Sequence, residues 1–152
     1  YHVAVPTEDA RGLFIENEGI LDQITAVNAS CNALRVALDA GLRLVAIVRE
    51  RVGMTKVEQD ADILAGQLDS VGISLAGLCV RFDRIDIAAT APEPLLDTCD
   101  QLGLDPAHSS LIVHSPQEIA AGRAANFAVL QFLKSSTNFA DAIASAVSVL
   151  HK

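Results

Sequence analysis

The feature that most constrains this chain is an alternation of short apolar runs with longer stretches of helical periodicity. Residues 42–48 are almost all apolar, which is typical of a parallel strand covered on both faces. Elsewhere apolar residues recur at three- and four-residue steps, as Cys31, Leu34 and Leu38 do before Gly41, which lies where a helix C-cap belongs. The alternation predicts strands joined by helical crossovers in a largely parallel sheet.

The same patterns predict the order of the elements. Strands are expected at residues 12–15, 42–48, 75–82, 110–113 and 127–132, and helices at residues 24–40, 56–68, 95–102, 116–125 and 138–150. The linker of residues 84–94 is expected to be irregular because it holds Pro92 and Pro94. The predicted fold is therefore a single α/β domain over residues 1–152, a Rossmann-like three-layer α/β/α arrangement with about five mostly parallel strands.

Length and composition narrow the setting in which the chain works. A chain of 152 residues with 51% hydrophobic content has the size of one domain with one packed core. Its apolar runs are far shorter than the roughly 20 residues that span a bilayer, and its first residues lack the pattern of a secretory signal. The cysteines Cys31, Cys79 and Cys99 lack metal-type spacing and are predicted to be reduced, buried thiols. We expect a cytoplasmic protein with no membrane partner.

The charge of the chain argues against nucleic-acid partners. The formal net charge is −8, and no Lys/Arg cluster offsets it, so nucleic-acid phosphates are repelled. Aromatic residues make up 4% of the chain and there is no Trp, which leaves little for base stacking.

The residues directly after each predicted strand are those that could carry chemistry, because ligands of parallel α/β sheets bind beyond the carboxyl ends of the strands. Glu16 and Glu18 follow the first strand and precede Gly19; they fit either a Mg²⁺ site or a solvated acidic turn. Arg49 follows the second strand, as part of a solvated loop or of a phosphate clamp. His114 follows the fourth, either capping the next helix or binding a metal.

Three segments together resemble the motifs of haloacid-dehalogenase-like (HAD) phosphatases. Residues 13–21 resemble the first motif, in which a hydrophobic strand leads into Asp-x-Asp-Gly-x-Leu, and residues 92–106 and 111–125 resemble the third and fourth motifs. The resemblance covers residues 11–150. Because no domain is inserted after the first strand, the chain looks most similar to the capless branch that contains histidinol-phosphate and heptose-bisphosphate phosphatases. That branch often carries a Cys-rich zinc loop after strand three, where this chain has only Cys79, so no zinc is expected.

The resemblance assigns carboxylate and metal positions. The family's nucleophilic Asp falls on Glu16 and its acid/base Asp on Glu18, and its metal-binding Asp residues fall on His114 and Glu118. Glu16 and Glu18 each keep the carboxylate of the family's Asp but move it outward by roughly an ångström. A misplacement of that order costs about 10²-fold in rate. The implied metal ligands are Glu16, Glu18, His114 and Glu118, a set that suits a softer ion than Mg²⁺.

The resemblance also places the phosphate-binding positions. The second-motif Thr or Ser falls on Val48, and the third-motif Lys falls on Ala91; neither residue can donate a side-chain hydrogen bond. Arg49 could supply a cation from another direction, and Ser115 lies at a helix start where a phosphate could bind.

These substitutions lead to three hypotheses in order of preference. The first is a pseudo-phosphatase that has lost catalysis and acts as a binding, scaffold or regulatory module, with a protein partner or a second copy of itself and no cofactor. The second is a divergent phosphohydrolase that uses Mg²⁺ or another divalent metal on a small phosphorylated metabolite such as a sugar phosphate. The third is a sensor that binds a phosphorylated metabolite near Ser115 without turnover.

Overall fold

The computed structural model describes residues 11–16, 28–50, 65–73, 75–82, 91–113, 116–133 and 139–150. The strands are β1 (Gly12–Glu16), β2 (Arg43–Glu50), β3 (Leu75–Phe82), β4 (Ser110–Val113) and β5 (Val129–Phe132). The helices are α1 (Asn28–Asp39), α2 (residues 65–70), α3 (Glu93–Leu102), α4 (Pro116–Ala124) and α5 (Phe139–Leu150), and a 3₁₀ turn covers Pro106–His108.

The five strands form one parallel sheet in the order β3-β2-β1-β4-β5. This confirms the predicted α/β class, the Rossmann-like layering and the number of strands. The order places β1 in the middle of the sheet, and the parallel pairing brings the carboxyl ends of all five strands to one edge. We call this edge the carboxyl edge.

Two apolar cores cover the two faces of the sheet. The first face packs against α1, α2 and α5 and includes Leu13 and Ile15 of β1. The second face packs against α3 and α4 and includes Phe14 of β1, whose ring lies edge-on to that of Phe127 at a centroid distance of 5.0 Å. Because successive strand residues point to opposite faces, β1 contributes to both cores and is buried along its whole length.

Three helix ends follow the predicted or a closely related C-cap pattern. Gly41 after α1 has φ 95° and Gly103 after α3 has φ 69°, the left-handed conformation that glycine adopts without a steric penalty. After α4 the same position is filled by Asn126, with φ 65°, and the Phe127 N–H donates to the Gly122 carbonyl. Because this turn lies between α4 and β5, the strand begins at Val129 rather than at the predicted residue 127.

The end of β2 and the start of α3 also differ from the prediction. β2 continues to Glu50, two residues past its predicted end, because its pairing with β3 continues through Arg49 and Glu50. The helix α3 begins at Glu93, so Pro94 lies in its first turn instead of in an irregular linker. A proline is tolerated there because first-turn N–H groups have no partner within the helix.

A buried arginine ties the ends of two helices together. Arg11 donates from Nη1 to the Leu150 carbonyl of α5 at 3.1 Å and from Nη2 to the Ala40 carbonyl after α1 at 2.6 Å. A cation at helix C-termini also complements their dipoles. Among the described helices, none has the length and hydropathy that a membrane crossing requires.

Candidate functional site

Glu16 is the last residue of the central strand β1, and its side chain lies on the second face of the sheet. It lies two positions after Phe14, which is on that face, and it pairs in register with Ile47 of β2. The pairing of Ile15 with Ile112 places Val113 of β4 at the same level on its other side. Glu16 therefore lies between apolar side chains, and it has 0% exposed surface.

The row that contains Glu16 extends to the edge of the sheet. Ile47 pairs with Cys79 of β3, so Glu16, Ile47 and Cys79 lie side by side on the second face near the carboxyl edge. The Cys79 thiol donates to the Pro94 carbonyl at 3.4 Å, and the Thr98 hydroxyl donates to the same carbonyl at 2.8 Å. The Cys79 bond joins β3 to the start of α3, whereas the Thr98 bond lies within the helix.

Ala91 lies two residues before the start of α3 and is half-buried. The helix starts near Cys79 and ends at the opposite edge, where Arg43 at the start of β2 donates to the Leu102 carbonyl at 2.6 Å. Ala91 thus lies towards the carboxyl edge, on the side that holds Glu16. Its methyl side chain places no cation there.

Glu118 lies in the first turn of α4 and points towards the sheet. It precedes Ala121 and Gly122 by three and four residues, and all three are buried on one side of the helix. Because α4 begins three residues after β4 ends, this turn must lie at the carboxyl edge. Glu118, like Glu16, has 0% exposed surface.

A glycine lets α4 lie close to the sheet. A Cβ added at Gly122 would lie 2.5 Å from Cδ2 of Leu111 and 2.6 Å from Cδ2 of Leu130. The close approach seats the N-terminal turn of α4, with Glu118, against the second face.

The structure thus places two buried carboxylates, Glu16 and Glu118, at the same edge and on the same face of the sheet. Carboxylates in this arrangement could contribute to a divalent cation site. Glu118 also has a local alternative role, because Ser115, Pro116 and Glu118 form the sequence pattern of a capping box at a helix start. Within the described ranges, no three His, Cys, Asp or Glu residues come together as a metal-ligand group.

Val48 and Arg49 lie in β2, not after it. Alternation along β2 puts Val48 on the face of Ala46, opposite the face that Ile47 shares with Glu16, and Val48 is buried with 4% exposure. For Arg49 only the backbone is described, paired with Arg81 of β3. The predicted position of Arg49 in a loop after the strand is therefore wrong, because pairing with β3 keeps it in the sheet.

The remaining predicted site residues, Glu18, His114 and Ser115, lie outside the described residues. Their assigned roles stay predictions.

The cysteine thiols are a further buried feature of the two cores. All three cysteines are free and buried, as predicted from their apolar neighbours. Burial, together with nearby Cys79 and Asp105, raises the pKa of Cys99 from 9.0 to about 12. The Cys99 thiol, which belongs to the second core together with Cys79, therefore stays protonated at neutral pH. The helical spacing of Leu95 and Cys99 is the sequence signal for this burial.

Solved structures with a similar fold include HAD proteins. A protein described as a HAD-like phosphatase from Mesorhizobium loti has a TM-score of 0.69 at 17% identity, over 93% of this chain and 88% of that one. A HAD-superfamily hydrolase of subfamily IA from Geobacter sulfurreducens has a TM-score of 0.52 at 12% identity, over 86% of this chain and 98% of that one.

An uncharacterized protein from Corynebacterium glutamicum is also similar, with a TM-score of 0.67 at 14% identity, over 91% of this chain and 96% of that one. No protein-family model and no curated protein matches the sequence. At these identities the likeness concerns the fold alone.

Proposed function

We propose that this chain is a capless HAD-phosphatase-like domain that has lost phosphatase catalysis and acts as a binding, scaffold or regulatory module. The similar solved structures support the phosphatase-like fold, and the motif order along residues 11–150 supports the placement of the site.

The burial of Glu16 is the observation that carries this proposal. A carboxylate that attacks a phosphoryl group has to reach the phosphorus atom of a bound substrate. Glu16 has 0% exposed surface and is flanked in the sheet by Ile47 and by Val113. The side chains of these two neighbours are apolar and offer no hydrogen bond to a phosphate. The position suits a side chain that is part of the packed interior.

The other substituted positions support the same proposal. Phosphoryl transfer depends on positioned donors and cations, and one such contact is worth roughly 2–4 kcal/mol in the transition state. Val48 has no donor and lies on the first face, and Ala91 has no cation where the family carries Lys. The hydrogen-bond donor and the cation are therefore both missing from the site, although the surrounding fold is retained.

A domain without catalysis has to act through its surface. The last helix α5 exposes Val149 by 51%, and its neighbour α1 exposes Val36 by 59%. A contiguous patch of such residues would favour a protein partner or a second copy of the chain over a small ligand. We therefore include a protein partner or a homo-oligomer in the proposal.

A second candidate function is a divergent metal-dependent phosphohydrolase acting on a small phosphorylated metabolite. The observation in its favour is that Glu16 and Glu118 share one edge and one face of the sheet. Mg²⁺ or another divalent ion bound there would be held by these two carboxylates, with Glu18 and His114 as the predicted further ligands. The ion would supply charge neutralisation for the transferred phosphoryl group.

Phosphate release decides between the two. The purified chain is incubated with a panel of sugar phosphates and an aryl phosphate, with Mg²⁺, Mn²⁺ or Zn²⁺ added in turn, beside Glu16→Gln. The proposal expects the same background rate from both proteins with every metal. Turnover by the wild type that disappears in Glu16→Gln would establish the phosphohydrolase instead.

Metal titration gives an independent measurement. Glu118→Gln removes a buried carboxylate from the first turn of a helix, and Glu93→Gln makes the same change at an exposed position in the first turn of α3. If the second candidate holds, calorimetric Mn²⁺ binding is weakened at least tenfold by Glu118→Gln and is unchanged by Glu93→Gln. The leading proposal expects no difference in Mn²⁺ binding among the three proteins.

A further inference from the structure

We draw no further inference here: the strongest candidate, the outward face of α1 and α5 around the half-exposed Val36 and Val149, is an apolar surface for which nothing in the described part of the structure shows what covers it.

Discussion

The helices α3 and α4 start at the same edge of the sheet, cover the same face, and each have a glutamate in the first turn, yet the two glutamates differ completely in burial. Glu93 of α3 is exposed, whereas Glu118 of α4 has 0% exposed surface. The helix α3 begins after Pro92, which supplies no side-chain cap.

The difference follows from helical rotation rather than from distance to the edge. The buried residues of α3 are Leu95, Thr98 and Cys99, and Glu93 lies two residues before the first of them, which is the opposite side of a helix. Glu118 precedes Ala121 and Gly122 by three and four residues, so it shares their buried side. Two glutamates in the first turns of neighbouring helices thus differ in burial because of the phase of the apolar pattern.

The two helices also approach the sheet by different means. In α4 the glycine is on the helix, at Gly122 against Leu111 and Leu130. For α3 the glycine is on the strand, where a Cβ added at Gly77 would lie 2.8 Å from Cδ1 of Leu102. The close contact of α4 with the sheet therefore depends on a residue of the helix, Gly122. The position of Glu118 against the sheet depends on the same contact.

The largest expected effect is from Gly122→Ala, which breaks the close contact of α4. The added methyl group would meet two leucine side chains at 2.5 and 2.6 Å, so either these side chains or the helix must shift. We expect the free energy of unfolding to fall by about 1–3 kcal/mol, the usual cost of overpacking. Urea denaturation measures the change.

Gly66→Ala is the matched control for that substitution. Gly66 lies in helix α2, and an added Cβ there would meet nothing within 4 Å. Alanine should raise the free energy of unfolding by about 0.5–1 kcal/mol because it reduces the freedom of the unfolded chain. If both substitutions changed stability in the same direction, close packing of α4 would not be the reason for Gly122.

The next effect sharpens the comparison of the two glutamates. We expect Glu118→Gln to lower the free energy of unfolding by about 1–2 kcal/mol, because it removes a negative charge that lies in the first turn of α4, where the helix dipole stabilises it. Glu93→Gln, at an exposed position in the first turn of α3, should change the free energy of unfolding by less than about 0.5 kcal/mol. Greater stability of Glu118→Gln would show that the buried charge is poorly compensated and would contradict the account.

A smaller effect concerns the buried side of α3 and alkaline pH. The pKa of Cys99 is raised from 9.0 to about 12 in the folded chain, so the unfolded state loses its proton first as pH rises. Stability from this thiol is complete below pH 9 and is lost between pH 9 and about 12. Between pH 9 and 10 the wild type should lose about 1 kcal/mol more than Cys99→Val does.

Thr98→Val controls for a general change in α3. It removes the hydroxyl that donates to the Pro94 carbonyl but leaves Cys99 in place. Its stability should be lower than that of the wild type at every pH, with the same slope between pH 9 and 10. A slope reduced as much as in Cys99→Val would assign the pH dependence to helix packing rather than to the thiol.

The sequence predicts most of the fold because its apolar pattern is well separated by turn residues. The bounds of β3 and β4 are as predicted, and the C-caps Gly41 and Gly103 have the expected left-handed conformation. β2 was predicted too short because Arg49 and Glu50 resemble a loop, while pairing with β3 keeps them in a strand. That pairing depends on residues about 30 positions away, which local patterns do not contain.

The candidate site could be located from sequence, but its burial could not. The motif resemblance placed Glu16 after the first strand and Glu118 after the fourth, and the structure has both at the carboxyl edge. Glutamate is ordinarily exposed, so a sequence pattern gives no reason to expect 0% exposure at two of them. Burial depends on how the elements pack in three dimensions, which a local sequence pattern does not contain.

The most direct test of the central claim, that Glu16 is an interior side chain rather than a nucleophile, is a single-turnover measurement. Protein in excess over an aryl phosphate is incubated with Mg²⁺ or Mn²⁺, and the release of phosphate is followed for the wild type and for Glu16→Gln. The account predicts that both proteins release phosphate at the same background rate. One equivalent of phosphate released by the wild type, and none by Glu16→Gln, would contradict it.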